Sequence, residues 1–563
     1  MHAFFNAISR LFRDKSGNVA VIFAIAALPL VSFVGVAVDY SNANKMKAKL
    51  QSAADAASVA SISKNSIGYN AAALMTTDGT VAAGVTDATN IFNGDASNMS
   101  ADFTNLSLNG TTVTKTGVTL NSVVQFSADI PVTFMKVLGY QKLTISGTSK
   151  STSSLPPYLD FYLALDVSGS MGLPSTPAEA LRMQAINPDN FVQYPTGCTL
   201  ACHFAPLKSA CIDPPVTAPA APPKNPPTTT TSYSQEYNTN NACMGYVYSR
   251  VSQTLLSKLI TMLPTATVPS TPKQVPGLPV SMLSGLPGSL NTDPKWGLAA
   301  ATSCPTAGTD GCIQLRLDAV GFALNATQAA NGVDGLLALA QKMEVVTNQF
   351  RIGLYPFITN IDSNYAPLTS TINGSSSTPG TINYAAANLA SELDTNMNSA
   401  LGSGGTHIDN ALNSINNLIV NVGNGNAPTN TQPYVFLVTD GAQDNQQKGV
   451  PNGGWSGSNH ATVLTDLINT YPDICTTLKN RKIIVSVLYI PYQTINPVNA
   501  AFAGDEDDYA NAVIPNIPAS LQGCASPADA GGSYFYTANT PADIQSSLNA
   551  MFNHSIQTAR ITN

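Results

Sequence analysis

Asp160-Phe161-Tyr162-Leu163-Ala164-Leu165-Asp166-Val167-Ser168-Gly169-Ser170-Met171-Gly172 is the stretch on which the fold turns. It is an apolar run that ends in a carboxylate and passes into a short polar turn with glycines. A run of this length without polar alternation reads as a strand buried on both faces, as in parallel sheets covered by helices. Ligand sites in such sheets lie beyond the carboxyl ends of the strands. Asp166, Ser168 and Ser170 stand there at alternate positions and bring three oxygen side chains into one tight loop. Hard cations such as Mg2+ take oxygen ligands, near-octahedral geometry and several retained waters.

Two segments downstream fit the same plan. Leu401-Gly402-Ser403-Gly404-Gly405-Thr406-His407-Ile408-Asp409 is a Gly-rich loop opening a helix around Ala411-Leu412. Tyr434-Val435-Phe436-Leu437-Val438-Thr439-Asp440-Gly441 is a second buried strand ending in a carboxylate. Further strands are expected at Phe350–Phe357, at the β-branched run Ile483–Ile490 and at Tyr534-Phe535-Tyr536. Thr540-Pro541-Ala542-Asp543-Ile544 carries an N-cap and a first-turn proline, which predicts a terminal helix through Phe552. Strands alternating with helices argue an α/β domain with a doubly wound parallel sheet.

Asp-x-Ser-x-Ser, then a loop threonine, then Thr-Asp-Gly, in order and on strand ends, resembles the metal-ion-dependent adhesion site of von Willebrand factor A domains. The resemblance implies a Rossmann-like domain over residues 156–560. It implies that Ser168 and Ser170 ligate the metal through their hydroxyls, that Thr406 does so directly or through water, and that Asp166 and Asp440 act mostly through waters and supply charge. The implied cofactor is a divalent cation, Mg2+ with Mn2+ or Ca2+ as alternatives. One coordination position is left for an acidic side chain of a protein partner. His407 and Asp409 flank the loop in a solvent-facing or helix-capping role.

The pattern departs from the family at one point. The helix that should follow Asp-x-Ser-x-Ser has its best candidate at Leu315-Arg316-Leu317-Asp318-Ala319-Val320, far downstream. The insertion between, about 173–313, holds six of the eight cysteines and the pairs Pro214-Pro215, Pro222-Pro223 and Pro226-Pro227. Such a composition is typical of linkers. Within it, Cys198-Thr199-Leu200-Ala201-Cys202-His203 has one residue too many for the Cys-x-x-Cys-His of haem attachment. A zinc site is an alternative there; disulfides stapling an irregular insert are the favoured reading. Cys475 and Cys524 lie far from the other six, in a helix and in a loop on either side of the Ile483–Ile490 strand, and are expected to pair with each other.

At the other end of the chain, Val19–Val38 is an uncharged run of about 20 residues, long enough as a helix to cross a bilayer. The apolar core of a cleaved signal peptide is usually shorter, so an uncleaved anchor is expected. Basic residues are nearly balanced about it, with Arg10, Arg13 and Lys15 before and Lys45, Lys47 and Lys49 after. Met46, Leu50, Ala53, Ala54 and Ala57 then recur at helical spacing, with Gly68 as a stop. The stretches Arg13–Ala24, Val38-Asp39-Tyr40 and Leu50-Gln51-Ser52-Ala53-Ala54-Asp55-Ala56-Ala57 resemble the N-terminal region of the TadE/TadG proteins of Flp (tight-adherence) pilus assembly. Gly17 lacks the glutamate that follows a prepilin cleavage site at the fifth position; Ile22 stands there, and no such processing is expected. A membrane anchor and helix are therefore drawn at 1–65 and a small β-rich segment at 66–155, with strands around Val113–Val124, Val132-Thr133-Phe134-Met135 and Leu143-Thr144-Ile145-Ser146.

Composition narrows the function. Charged residues make up 10% of the 563, well under the roughly 25% usual in soluble proteins, and an even cysteine count suits an oxidising exterior. These features break the tie in the basic residues and place the C-terminal domain in the periplasm of a bacterium, held by a single pass of the inner membrane. A net charge of −7 without a basic run argues against nucleic acid. With five histidines and no Gly-x-Ser-x-Gly, Walker-A or His-Glu-x-x-His motif, no enzyme is expected. The expectation is a metal-dependent protein-binding component of tight-adherence pilus assembly, contacting pilus-assembly or envelope proteins. The alternative is an envelope adhesin or matrix-binding protein outside assembly.

Overall fold

A computed structural model describes residues 16–186, 303–326, 332–372, 375–394, 398–449, 454–458, 460–464, 473–492, 506–528 and 532–561, with Ser249, Ser252, Gln253 and Thr494. The cysteines at 198, 202, 211 and 243, the proline pairs and the Cys198–His203 motif lie outside them. The chain divides into two units, one up to Pro156 and one from Pro157.

The first unit opens with a 45-residue helix, Ser16–Ala60. Its N-terminal part is long and apolar enough to cross a membrane by length and composition. Ile22, Phe23, Ile25, Leu30, Val31, Phe33 and Val34 are all exposed there, and Pro29 sits within it, as membrane helices tolerate. The helix fits a single-pass membrane anchor. Beyond it the same helix turns amphipathic, and Leu50, Ala53, Ala54 and Ala57 are buried.

These residues pack on an antiparallel sheet of β1 (Gly79–Thr80), β2 (Thr104–Ser107), β3 (Thr112–Thr116), β4 (Thr119–Pro131) and β5 (Lys142–Ser154), in the order β1-β3-β4-β2 with β5 also on β4. Alternate residues of β4, Leu120, Val124, Phe126, Ala128 and Ile130, face inward, as a period of two requires. Hydroxyls stitch helix to sheet: Ser58 Oγ lies 2.9 Å from Ser149 Oγ, and Ser61 Oγ lies 3.1 Å from Ser122 Oγ.

Two expectations fail here. The long helix ends at Ala60 rather than near Gly68; Asn65 takes a left-handed φ of 70° and Ser66 caps a new helix, Ile67–Ala73, that contains Gly68. The Val132–Met135 strand does not form. Pro131 closes β4, and the chain coils into a short 3-10 turn at Met135–Leu138.

The second unit is built on a six-stranded sheet: β6 (Leu159–Asp166), β7 (Phe350–Phe357), β8 (Ala366–Thr369), β9 (Gln432–Thr439), β12 (Ile484–Tyr489) and β13 (Phe535–Thr537). Its order is β13-β12-β9-β6-β7-β8, parallel throughout except for the edge strand β8. A small hairpin, β10 (Gln447–Lys448) and β11 (Trp455–Ser456), stands apart. Every residue of β6 is buried. Phe161, Leu163 and Leu165 pack with Val320, Leu336, Leu548 and Phe552 on one face, while Tyr162 and Ala164 pack with Ile408, Leu412, Leu478 and Leu521 on the other. Helices therefore cover both faces, which is why β6 reads as a continuous apolar run.

The two carboxylates of β6 have different duties. Asp160, at its start, takes a forked pair from Arg351 on β7, with Nε–Oδ1 at 2.7 Å, and accepts from Thr431 at 2.5 Å. Asp166, at its end, opens the loop described below. The helix Pro541–Ile561 starts at the expected proline, and Thr540 Oγ1 caps the Asp543 N–H at 3.2 Å. Cys475 lies in the helix Ile474–Asn480, but Cys524 ends the helix Ile517–Cys524 rather than sitting in a loop. The two are bonded, as are Cys304 and Cys312.

Candidate functional site

Asp166 leaves β6 with its carboxylate buried. Oδ1 accepts from the Ser168 N–H at 3.0 Å and from the Ser168 hydroxyl at 2.6 Å, while Oδ2 accepts from the Thr439 hydroxyl at 2.7 Å. The chain then forms a 3-10 turn, Gly169–Gly172, in which Met171 drops into the core beside Val167. With these apolar neighbours facing inward, Ser168 and Ser170 share the other side, their hydroxyl oxygens 3.2 Å apart. Three of the expected residues thus form one cluster, tied by Thr439 to the end of β9.

Asp440, the next residue, is fully buried, and neither carboxylate oxygen has a hydrogen-bond partner among the described residues. Burial and the Asp166 charge push its carboxyl up to about 7, against the opposing pull of Arg316, Ser170 and Tyr492. Burial also raises Asp166, although Ser168 and Thr439 hold it back. Arg316 Nη1 stands 3.6 Å from Asp440 Oδ2, and the Tyr492 ring lies 5.8 Å from the same guanidinium. An unsatisfied buried carboxylate is costly. Its oxygens, with those of Asp166 and the two serines, form a hard-oxygen donor set of the kind Mg2+ takes. Among the described residues no three His, Cys, Asp or Glu side chains gather, so hydroxyls and water would complete such a shell.

Thr406 is buried in the Gly-rich loop and pairs through its backbone with Asp444, N–H to O at 2.9 Å in both directions. Its side chain makes no hydrogen bond to the serine cluster among the described residues. Gly405 before it has a φ of 67°, and a Cβ there would fall 2.3 Å from the Gln446 carbonyl, so only glycine closes this loop on its neighbour. His407 is buried at the N-cap of the helix Ile408–Leu418, with Nε2 3.1 Å from the Gln446 carbonyl. Asp409 lies in the first turn, and its backbone N–H meets Gln443 Oε1 at 3.3 Å.

Some residues of the site escaped the sequence reading. Asp394 joins the loops: its N–H donates to the Val167 carbonyl at 3.0 Å, and its carboxylate accepts from Ser403 Oγ at 2.7 Å and the Gly404 N–H at 2.8 Å. No local pattern marks it. Arg316 opens the helix Arg316–Asn325, which was expected, but nothing local signals that its side chain turns toward Asp440. Thr439, in Thr-Asp-Gly, is marked by no motif role of its own; period-two alternation on β9 sets its side chain apart from that of Asp440.

The insertion is closed at its base beside this site. Arg316 N–H donates to the Leu173 carbonyl at 2.8 Å and Ser175 N–H to the Gln314 carbonyl at 2.9 Å. Glu179, buried in the helix Pro177–Ile186, accepts from the backbone of Gly308 and Gln314 and from Arg182. A helix therefore does follow the serine loop soon after it and gives Met183 to the core, while Arg316–Asn325 gives it Leu317, Val320, Ala323 and Leu324.

Comparisons with known proteins bear mainly on the first unit. No curated protein matches the sequence. Among solved structures, the chain is similar to the pilus adhesin SpaC from Lactobacillus rhamnosus GG in its open conformation, at 11% identity and a TM-score of 0.25, over 81% of this chain and 34% of that one. It is also similar to the PilB minor pilin from Streptococcus sanguinis, at 8% identity and a TM-score of 0.27, over 78% and 75%. The chain thus spans about a third of SpaC, and at these scores neither likeness bears on the fold or the site. Residues 17–64 match the model of the Tad family, described as "Putative Flp pilus-assembly TadE/G-like". By this match the N-terminal helix is similar to the TadE/G-like segments of Flp pilus assembly, which supports a Tad-type pilus protein.

Proposed function

We propose that the protein is a membrane-anchored, metal-dependent protein-binding component of Flp (tight-adherence) pilus assembly, and that its second unit is a von Willebrand factor A-type domain. The observation that carries the metal reading is Asp440, a fully buried carboxylate that faces Arg316 at 3.6 Å without a directed hydrogen bond among the described residues and stands at the strand ends with Asp166, Ser168 and Ser170. A parallel sheet with helices on both faces, bearing this cluster at the carboxyl ends of β6 and β9, is the architecture in which such sites occur. Ser168 and Ser170 would hold a divalent cation, Mg2+ first, through their hydroxyls. Thr406 would hold it directly or through water, and Asp166 and Asp440 mostly through water. When bound, the ion would supply an open position for an acidic side chain of a partner protein. The chain's own part is to keep five oxygen-bearing side chains in place, four at or beyond the ends of β6 and β9 and Thr406 in the Gly-rich loop, and to bury the charge of Asp166 and Asp440. This is recognition chemistry, and the reading makes the protein a binder rather than an enzyme.

The pilus reading rests on the match over residues 17–64. A periplasmic position for the second unit is supported by its disulfides, Cys304–Cys312 and Cys475–Cys524, since such bonds persist in oxidising compartments. The partners are then pilus-assembly or envelope proteins. The direct test is capture of partners from envelope extract by the full chain, with and without a chelator. Tight-adherence components should be retained in Mg2+ and lost on chelation; retention indifferent to chelation would refute metal dependence.

A further inference from the structure

The turn between β4 and β5, residues 132–141, gathers four large exposed apolar side chains. Phe134 is 44% exposed, Val137 74%, Leu138 51% and Tyr140 57%. A soluble tip has no reason to present them together. The turn is also held firmly against one part of the long N-terminal helix. Asp39, buried there, accepts hydrogen bonds from three consecutive backbone N–H groups, Thr133 at 3.0 Å, Phe134 at 2.8 Å and Met135 at 2.7 Å. One turn earlier stands Gly35, where a Cβ would fall 2.4 Å from Phe134 Cβ. Glycine is poor in a helix interior, and here it provides the room for Phe134 to lie against the helix backbone.

The position of this contact indicates the partner. Gly35 lies within the apolar run that ends at Val38, roughly 5 Å short of its end by helical rise. Asp39 is the first charge after that run. The tip is therefore docked where the helix leaves the hydrocarbon. Side chains that would find no apolar surroundings in water would meet acyl chains and headgroups there. Tyr140 on the tip and Tyr40 on the helix, both exposed, suit the interface, where tyrosine is enriched. Exposed Lys136 suits lipid phosphates.

We propose that the β4–β5 tip is a second, interfacial membrane anchor, with Phe134, Val137, Leu138 and Tyr140 inserted at the headgroup–acyl boundary of the leaflet from which the helix emerges. This rests on the helix being a membrane anchor. Helix and tip then hold the first unit at two points, and the sheet cannot swing freely about the helix end.

The test uses the full chain in phosphatidylcholine vesicles whose acyl chains are brominated near the headgroup. Tryptophan emission is read as the difference from wild type, in which Trp296 and Trp455 supply the background. Val137→Trp should add emission that is blue-shifted and quenched severalfold by the brominated lipid. Thr116→Trp, at the end of β3 and paired with Thr119 at the far end of β4, about 40 Å away by strand rise, should add emission that is not quenched. Phe33→Trp, in the apolar run, reports on the helix itself. Quenching at 33 without quenching at 137 overturns the proposal and leaves the tip as a surface for protein. Quenching at neither position overturns the anchor reading and the proposal together. Val137 is exposed, so the substitution leaves the core untouched. Asp39→Ala in the Val137→Trp background should reduce the quenching by releasing the tip.

Discussion

The Arg316 guanidinium stands 3.6 Å from the Asp440 carboxylate, yet neither Arg316 Nη1 nor either Asp440 oxygen makes a hydrogen bond among the described residues. The two attract by charge without a directed bond, in a buried setting where charge counts for more than in water. Arg316 is thus a resident cation that offsets part of the acidic pair, and a divalent ion drawn to Asp440 must share it. Arg316→Met should tighten Mg2+ binding by about tenfold, roughly 1.4 kcal/mol, in calorimetry of the full chain. Weaker binding would mean that Arg316 supports the ion site instead of competing with it.

Removing the shared carboxylate acts the other way. In the wild type, Mg2+ at about a hundred times its dissociation constant should add about 2.7 kcal/mol of stability, seen as a rise in Tm. Asp440→Asn should abolish that rise, as should Ser168→Ala with Ser170→Ala. Without metal, Asp440→Asn should melt slightly higher than wild type, because a buried charge repelled by Asp166 is gone. A wild-type Tm unmoved by Mg2+ or Mn2+ would reduce the cluster to a feature of the fold.

Acidity should matter in the metal-free state. The Asp440 carboxyl is pushed up to about 7 from an ordinary 3.8, so the folded chain holds a proton that the unfolded chain releases in that window. Stability in chelator should therefore fall as pH rises from about 4 to about 7, and Mg2+ should oppose the loss. Melting curves across that range test this, with Asp440→Asn as the flat reference. An equal slope in both proteins would place the titration elsewhere.

The Cys475–Cys524 bond joins two helices on one face of the sheet and closes a 49-residue separation. In the chain-entropy account a loop of this size contributes about 4 kcal/mol. Cys475→Ser with Cys524→Ser should lower stability by about 2–4 kcal/mol in denaturant titration. A non-reduced digest of the wild type should contain the linked peptide pair; a free thiol at either position would sink the assignment.

The elements that sequence made legible are those whose environment is uniform along their length. The strands β6, β7, β9 and β12 are buried on both faces, so their apolar runs stand out, and Thr540-Pro541 announces its helix by capping chemistry alone. What escaped depends on partners distant in the chain. Val132-Thr133-Phe134-Met135 has strand composition, but Asp39, on another element, takes three of its N–H groups and coils it. Cys524 follows two prolines that suggest a loop, yet Pro518 falls in the first turn of its helix, where a missing N–H costs nothing. For the site, Asp166, Ser168 and Ser170 could be placed together because they are local. Arg316 and Asp394 could not, because only the folded sheet brings them near. The Thr406 hydroxyl, expected to join the others, makes no hydrogen bond to the serines among the described residues.

The backbone bonds between Leu173–Ser175 and Gln314–Arg316 hold the two ends of the insertion together like the posts of a doorway. Doubling the length of what passes between would cost only about 0.6 kcal/mol in loop entropy, and the doorway itself would not widen. The helix Pro177–Ile186 and the segment from Cys304 to Ile313 are fixed to the domain through Met183, Glu179 and Ile313, so natural selection can change the length of what joins them beside the Ser168–Ser170 loop without re-threading the domain that carries it.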